Sequence, residues 1–316
     1  MGSFVNLVRN EWMKLMQRKS TWIMSIILII AVFGIFGVLK WDYSHREESV
    51  GANTSEQRLQ QQINTYEAQK SEAEPSSLEY KNAVEQIELA QYRLDEGLAP
   101  AEVGSFWHVM NTSSNFFSLI VLFVIIVASG ILAHEFQKGT IKLLAIRPAT
   151  RTKLLYSKYV TVLLFSVAIA LLLLVSSLVA SLIYFPYDSY THLTWNGEAV
   201  SEWPAIFWIL QSYLYAMVNV VVMGTIAFVI GALFRSSGLA IGITMFLSFA
   251  TLPAMMMLRK YEWAKYILFA HNEFSMHLSQ PFVDVTPLYS LIVIFVYLVI
   301  FHVLMYTSFK KRDIAV

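Results

Sequence analysis

The 316-residue chain contains no cysteine. That absence excludes a disulfide framework, a thiolate metal site, a thiol nucleophile and prenyl or palmitoyl anchoring. No glycine-rich run ends in Gly-Lys-Ser or Gly-Lys-Thr, so the chain has no phosphate-cradling loop and cannot bind ATP by that route. The pair His134 and Glu135 lacks the second imidazole one helical turn on, where Lys138 stands, which excludes the two-imidazole face of a zinc protease. Charge is also scarce: 14% of residues are Asp, Glu, Lys or Arg, against about 25% in a soluble domain. The net charge of +1 carries no information about partners, because in such a chain charge matters loop by loop.

What fills the space is apolar. Hydrophobic residues make up 56% of the chain, and they gather in six runs: 21–39, 115–133, 159–185, 204–233, 239–258 and 288–309. Each is near the roughly 20 residues that a helix needs to cross a bilayer. In hydrocarbon every backbone polar group must be satisfied within its own segment, so these runs are predicted to be transmembrane helices. The first run is too long for a typical signal-peptide core and is followed by Lys40, Trp41 and Asp42 rather than a small-residue cleavage site, so it reads as a retained helix. The middles of the runs carry no Asp, Glu, Lys or Arg, which argues against a self-contained ion-coupled carrier. No internal repeat of the inverted-topology kind is apparent either.

Orientation follows from Lys and Arg. Arg9, Lys14, Arg18 and Lys19 precede the first run; Lys138, Lys142, Arg147, Arg151, Lys153 and Lys158 lie between the second and third; Lys310, Lys311 and Arg312 follow the sixth. These segments are expected on the cytoplasmic side, with both termini cytoplasmic and the protein in a cell membrane, most simply a bacterial plasma membrane. The acidic segments 40–114 and 186–203 are expected outside. Arg259, Lys260 and Lys265 dissent, but Tyr261, Trp263 and Tyr266 surround them, as in a segment at the membrane interface.

Between the runs, 1–20 is amphipathic at helical spacing, with Val5, Val8, Trp12, Leu15 and Met16 on one side and Asn6, Arg9, Asn10, Lys14 and Arg18 largely opposite. Segment 40–114 holds helical stripes on both sides of Pro75, Leu59-Ile63-Tyr66 and Val84-Ile87-Leu94, and reads as an external helical hairpin. Segment 186–203 reads as an irregular external loop, and 259–287 as short re-entrant or interfacial helices. His271, Glu273 and His277 match no strong metal spacing and read as ordinary interfacial side chains, so no metal site is expected. Gln211, Asn219, Thr225, Ser248 and Thr251 either line a weakly polar path or hydrogen-bond between helices. Ser212, Ala216, Gly224, Ala227 and Gly231 share one side of the fourth helix, and Gly238 and Gly242 open the fifth; both sets read as close packing in the bundle. Pro253 is expected to kink or end the fifth helix.

The most specific stretch is HEFQKGTIKLLAIRPATRTKLLYSKYV, residues 134–160, which spans the loop segment 134–158. It resembles the permease subunit of ATP-binding-cassette transporters of the exporter-like second type, on Glu135, Gly139, Thr140, Leu143, Leu144, Pro148, Arg151 and Lys158. The leader NEWMKLMQRKSTWI, with Glu11, Trp12 and Lys14, is similar to the family's amphipathic elbow helix, and FKKRDI, within 309–314, to its cytoplasmic end. The resemblance spans the chain except 42–103, and the hairpin there departs from the minimal family pattern. It implies an all-α, six-helix membrane protein with an elbow helix, pairing with a second permease copy or paralogue and with cytoplasmic ATPase subunits that carry the ATP and magnesium. The chain itself would be no enzyme and hold no cofactor. Segment 134–158 would couple the ATPase to the helices, and the path would lie near the second and fifth helices, with Asn219, Ser248 and Thr251 as candidates. The implied activity is export of an amphipathic or hydrophobic cargo such as a drug, an antimicrobial peptide or a lipid-linked molecule. The rival is a membrane receptor whose external hairpin binds a ligand and signals to a cytoplasmic partner.

Overall fold

The computed structural model describes residues 4–47, 55–75, 77–98, 104–137, 150–187, 190–278, 283 and 285–311. The chain is mostly helical. Helix α1 is Phe4–Met16, α2 Lys19–Glu47, α3 Ser55–Glu72, α4 Leu78–Asp95, α5 Phe106–Thr112, α6 Phe117–Gln137, α7 Arg151–Tyr184, α8 Ala205–Phe234, α9 Ser237–Leu258 and α10 Pro287–Lys311. Six stretches are long and apolar enough to cross a membrane, drawn from α2, from α5 running on into α6, and from α7, α8, α9 and α10. The observed helices overrun the apolar runs because helical hydrogen bonding continues into the polar ends. Thus α2 continues to Glu47, α6 to Gln137, and α7 already starts at Arg151.

The fold divides into two compact units, 1–29 with 115–173 and 213–316, and 30–114 with 174–212. In the first unit α6 is the most enclosed helix, with Ile120, Val124, Ala128 and Leu132 at or near zero exposure. Its neighbour α8 approaches it through glycine. A Cβ added at Gly231 would lie 2.7 Å from the Ser129 backbone oxygen, and one at Gly224 would lie 2.8 Å from Val124 Cγ1. This is the close backbone contact that small residues permit between membrane helices. The glycines of α9 behave differently: nothing stands within 4 Å of a Cβ built at Gly238 or Gly242, so neither serves a close approach among the described residues. Pro253 does not end α9, which runs five residues further to Leu258. Its missing N–H costs one backbone bond and the surrounding turns carry on.

Among its described residues, segment 259–287 forms three short 3-10 turns, at Glu262–Tyr266, Leu268–Ala270 and Phe274–Leu278. Ala264, Ala270 and Val283 pack with Met255 of α9.

In the second unit α3 and α4 form an antiparallel pair. The seam joins Leu59 and Ile63 to Ala90 and Leu94, and Ala83 and Ile87 are buried on the same face of α4. The stripe on α4 is therefore Ala83, Ile87, Ala90 and Leu94, where alanine admits close approach and Val84 is only half-buried. Segment 186–203, expected to be irregular, carries a β-hairpin instead. Strand β1 (Thr191–Trp195) pairs antiparallel with β2 (Val200–Pro204) in the register Leu193 opposite Glu202. Its loop is stabilised by Asn196, whose side-chain oxygen accepts from the Glu198 and Ala199 amides at 3.0 and 2.8 Å. Gly197 takes the left-handed φ of 96° that the turn requires. Arg93 of α4 donates to the Thr191 carbonyl at 3.1 Å, and Tyr92 donates to Glu202 at 3.1 Å, so the helical pair leans on the β-hairpin.

Two outcomes follow from this packing. Gly231→Ala should destabilise the protein more than Gly224→Ala, because the first methyl meets fixed backbone and the second a valine that can rotate. Overpacking of this kind costs about 1–3 kcal/mol, and thermal unfolding in detergent reads the order of the two variants. The second concerns pH. His192 stacks on Trp208 at 3.7 Å; burial, with a smaller contribution from the Arg93 charge, pushes its imidazole from 6.5 down to about 4. A depressed histidine stabilises the fold fully above 6.5, and that contribution declines as pH falls towards 4. Hydrogen exchange of β1 should accordingly speed up, after correction for intrinsic rates, between those limits, and His192→Phe should flatten the response.

Candidate functional site: a buried charge cluster at the ends of three helices

Three elements converge beside the segment between α6 and α7. Helix α1 ends in a fixed elbow: Thr21 donates its hydroxyl to the Leu15 carbonyl at 2.7 Å, and the Trp22 indole donates to the Met16 carbonyl at 2.9 Å. Both bonds go to carbonyls in the last turn of α1, where intrahelical donors run out. The elbow seats Glu11 and Leu15 on the buried face of α1. A carboxylate thus stands on the buried side of the amphipathic helix, and Val5, assigned to the apolar side, is exposed.

The reason lies across the cluster. Lys158, two turns into α7, is wholly buried, and its ammonium donates to Glu11 Oε2 and Glu135 Oε1 at 2.6 Å each. Lys14 donates to Glu11 Oε1 at 2.7 Å and stands 3.7 Å from Glu135 Oε1. The four charges sum to zero. Burial alone would raise the Glu11 carboxyl; the Lys158 charge, with the hydrogen bonds from Lys14 and Lys158, overcomes that and holds it below its ordinary 4.5. A buried ammonium is tolerated only when paired in this way.

The arrangement makes α1, the end of α6 and the start of α7 move together. Thr150 supports the start of α7, accepting the Lys153 amide on its hydroxyl at 3.4 Å and the Leu154 amide on its carbonyl at 3.1 Å. The ion pairs thus join α1 to the end of α6 and the start of α7. Of the residues picked out from sequence, Glu11, Lys14, Glu135 and Lys158 come together, Trp12 lies half-buried on the same helix as Glu11, and Arg151 is exposed at the first position of α7. Gly139, Thr140 and Pro148 lie outside the described residues. Arg151 and Lys158 are helical residues, not part of a loop, because α7 begins one residue after Thr150.

The candidate path residues are placed differently. Asn219, midway along α8, donates to Glu273 Oε1 at 2.7 Å and accepts from Asn272 at 3.1 Å. The helices carry no mid-span acid of their own, but the connecting segment brings one against the middle of α8. Burial pushes the Glu273 carboxyl above the ordinary range, against the Asn219 bond that lowers it. Sequence patterning missed this because Glu273 lies outside every apolar run. Thr251 returns its hydroxyl to the Leu247 carbonyl at 2.8 Å, and Ser248 is half-buried on α9. Thr225 is bonded to Tyr159 at 2.9 Å, an interhelical pair. His271 and His277 flank Ser290 at 2.8 and 2.9 Å, and His271 Nε2 also meets the Lys265 carbonyl at 2.8 Å. That carbonyl can only accept, so Nε2 carries the proton and Nδ1 accepts from Ser290.

Six helices long and apolar enough to cross a membrane define a multi-pass membrane protein. Residues 81–315 match the family described as protein of unknown function DUF2705, and the chain belongs to that family. It is 37% identical over 326 residues to the "Uncharacterized protein YhcI" of Bacillus subtilis (strain 168), covering 98% of this chain and 99% of that relative. It is also 30% identical over 203 residues to the "Uncharacterized membrane protein YdbK" of the same organism, covering 63% of this chain and 79% of the relative.

Lys158→Met should take from Glu11 and Glu135 the buried ammonium they share, a loss of about 3–5 kcal/mol. The same joint should open in acid. Glu11's contribution is complete above its ordinary 4.5 and is lost as pH falls through its depressed value. A spin label on Met13→Cys, on the exposed side of α1, should therefore be ordered at neutral pH, gain mobility as pH falls below 4.5 and be mobile at all pH values in Lys158→Met. Equal mobility across the series would count against the joint.

Proposed function

We propose that the protein is the permease subunit of an ATP-driven exporter of the ATP-binding-cassette second type. The observation that carries the reading is the buried Lys158 held by Glu11 and Glu135 at 2.6 Å, which ties the elbow helix to both helices flanking the basic segment 134–158. A permease needs such a joint. A cytoplasmic ATPase pushing on that segment would turn α6 and α7 as levers and carry α1 with them.

On this reading the chain holds no nucleotide. ATP and magnesium sit on separate ATPase subunits, and a second permease copy or paralogue completes the path. Both termini are cytoplasmic in the cell membrane, and α3, α4 and the β-hairpin stand outside. The cargo is an amphipathic or hydrophobic molecule, a drug, an antimicrobial peptide or a lipid-linked compound. Glu135, Gly139, Thr140, Pro148, Arg151 and Lys158 would form the coupling element, and Asn219, Ser248 and Thr251 would flank the path. Glu273 beside Asn219 makes that path more polar than the helices alone suggest.

Purification from native membranes in mild detergent should bring down an ATP-hydrolysing subunit. Arg151→Glu places the wrong charge at the exposed start of α7, away from the cluster, and a reversed charge at a complementary contact costs on the order of several kcal/mol. That variant should fold and insert normally yet lose the ATPase, or lower transport per ATP in reconstituted vesicles. Recovery of a kinase or regulator in place of an ATPase would overturn the reading and favour a receptor.

A further inference from the structure

Within the first unit, the chain that follows the Leu268–Ala270 turn sets an acid against the side of α8. Asn219 lies about midway along that 30-residue helix. Its side-chain amide is used at both ends: the nitrogen donates to Glu273 Oε1 at 2.7 Å, and the oxygen accepts from Asn272 Nδ2 at 3.1 Å. Two neighbouring residues of segment 259–287 therefore hang on one amide, and the pairing there is incomplete. Asn272 is wholly buried, and its side-chain oxygen has no hydrogen-bond partner. Glu273 is half-buried, takes one neutral donor on Oε1, and forms no ion pair among the described residues.

Both shortfalls have the same sign. The Asn272 oxygen lacks a donor, and a carboxylate in such a setting lacks a counter-charge. A proton on the carboxyl meets both: it makes the group neutral and supplies an O–H, the donor that this polar patch lacks. Burial acts in the same direction and pushes the Glu273 carboxyl above its ordinary 4.5, against the Asn219 bond. A metal ion suits the patch less well. Asn219 turns its N–H towards the carboxylate, and hard divalent cations ask for about six oxygens or more. Ionisable groups held at membrane depth are where proton relays are built.

The other titratable groups of the elements packed around Glu273 have partners elsewhere. On its own segment, His271 and His277 bond to Ser290, Lys265 lies 5.5 Å from the Tyr266 ring centre, and Arg259, Lys260 and Glu262 stand at the exposed start. Helix α9 carries no titratable side chain. Helix α8 brings Tyr213 and Tyr215, edge-on to Phe117 and Phe274. Helix α10 brings Tyr289, edge-on to His271, and Tyr297, which donates to the Tyr266 carbonyl.

We infer that Asn219, Asn272 and Glu273 form a proton-binding site, in which the neutral carboxyl docks residues 268–278 on α8 and the ionised carboxyl releases them. The proton comes from solvent, and the O–H bond forms on Oε2, the oxygen that Asn219 leaves unbonded. The inference goes beyond the transport reading and stands without it, because it involves the first unit alone and needs neither nucleotide nor cargo. Once released, the carboxyl ionises at its ordinary 4.5; docked, it keeps its proton to higher pH. Docking is therefore complete below 4.5 and weakens as pH rises through the raised value.

The test uses the full chain in nanodiscs of zwitterionic lipid. Dicyclohexylcarbodiimide, an apolar reagent that adds to protonated carboxyls, is the probe, and peptide mass spectrometry locates the adduct. Glu273 should label above pH 4.5, where ordinary carboxyls are ionised, and added sodium chloride at fixed pH should leave the yield unchanged. Hydrogen exchange of 268–278, corrected for intrinsic rates, should rise from pH 4.5 upward and then level off. The rise should not exceed about tenfold per pH unit, the slope of a single proton. Glu273→Gln, which keeps a neutral acceptor for Asn219, should hold the segment protected across the same range. Labelling of Glu273 only below pH 4.5 would overturn the inference on the unaltered chain, whatever the variant does. Labelling suppressed by sodium would overturn it in favour of an alkali ion on the carboxylate, and an unchanged exchange profile in Glu273→Gln would overturn it in favour of the histidines. None of these results bears on co-purification of an ATPase, so the two readings fail separately.

Discussion

An ammonium group with no contact to solvent dictates the architecture at one end of the first unit. Lys158 cannot be buried as a charge unless acceptors meet it, and the chain supplies two carboxylates from distant positions, Glu11 and Glu135. That demand explains why α1 turns a glutamate inward beside Leu15, and why the elbow is fixed by Thr21 and Trp22 rather than left to fray. Replacing the group with apolar residues would be cheaper in stability, since buried ion pairs rarely gain more than their desolvation costs. What the ions add is specificity of assembly: a small displacement of α1 leaves charges unmatched, so the joint is closed or open with little between.

The same principle separates the two halves of the polar chemistry. In the cluster, opposite charges are matched and the carboxyl of Glu11 is driven down. At Asn219 the carboxyl of Glu273 accepts from a neutral amide, and burial drives it up. The first arrangement suits a rigid joint, the second a group that changes protonation when its surroundings open. Between them α6 and α8 are locked by glycine contacts at Gly224 and Gly231, which give the first unit a stiff centre to work against.

Much of this was legible in the sequence, and unevenly. The six membrane helices followed from apolar length, and the α3 and α4 stripes from helical spacing, though alanine at 83 and 90 carried more of the seam than valine at 84. The β-hairpin went unread although its signal was present: Asn196-Gly197 between THLTW and VSEW is a strong turn pair, obscured by the turn formers and aromatics around it. Glu11, Lys14, Glu135 and Lys158 were each picked out, but only folding shows that Glu11 reaches an ammonium 147 positions away. A hint existed in a charged residue standing within the stripe of Val8, Trp12 and Leu15. The Glu273 contact left no trace, because it depends on how far an irregular segment reaches along α8.

The central claim is that Lys158, Glu11 and Glu135 act as one unit, and a thermodynamic cycle on them tests it most directly. Unfolding free energies in detergent would be measured for Lys158→Met, for the paired change Glu11→Gln with Glu135→Gln, and for all three together. Mutual dependence predicts that the triple variant is more stable than Lys158→Met alone, because the carboxylates are removed along with the buried ammonium they share. If the changes instead add independently, so that the triple variant is the least stable of the three, the cluster is not the joint on which this account depends.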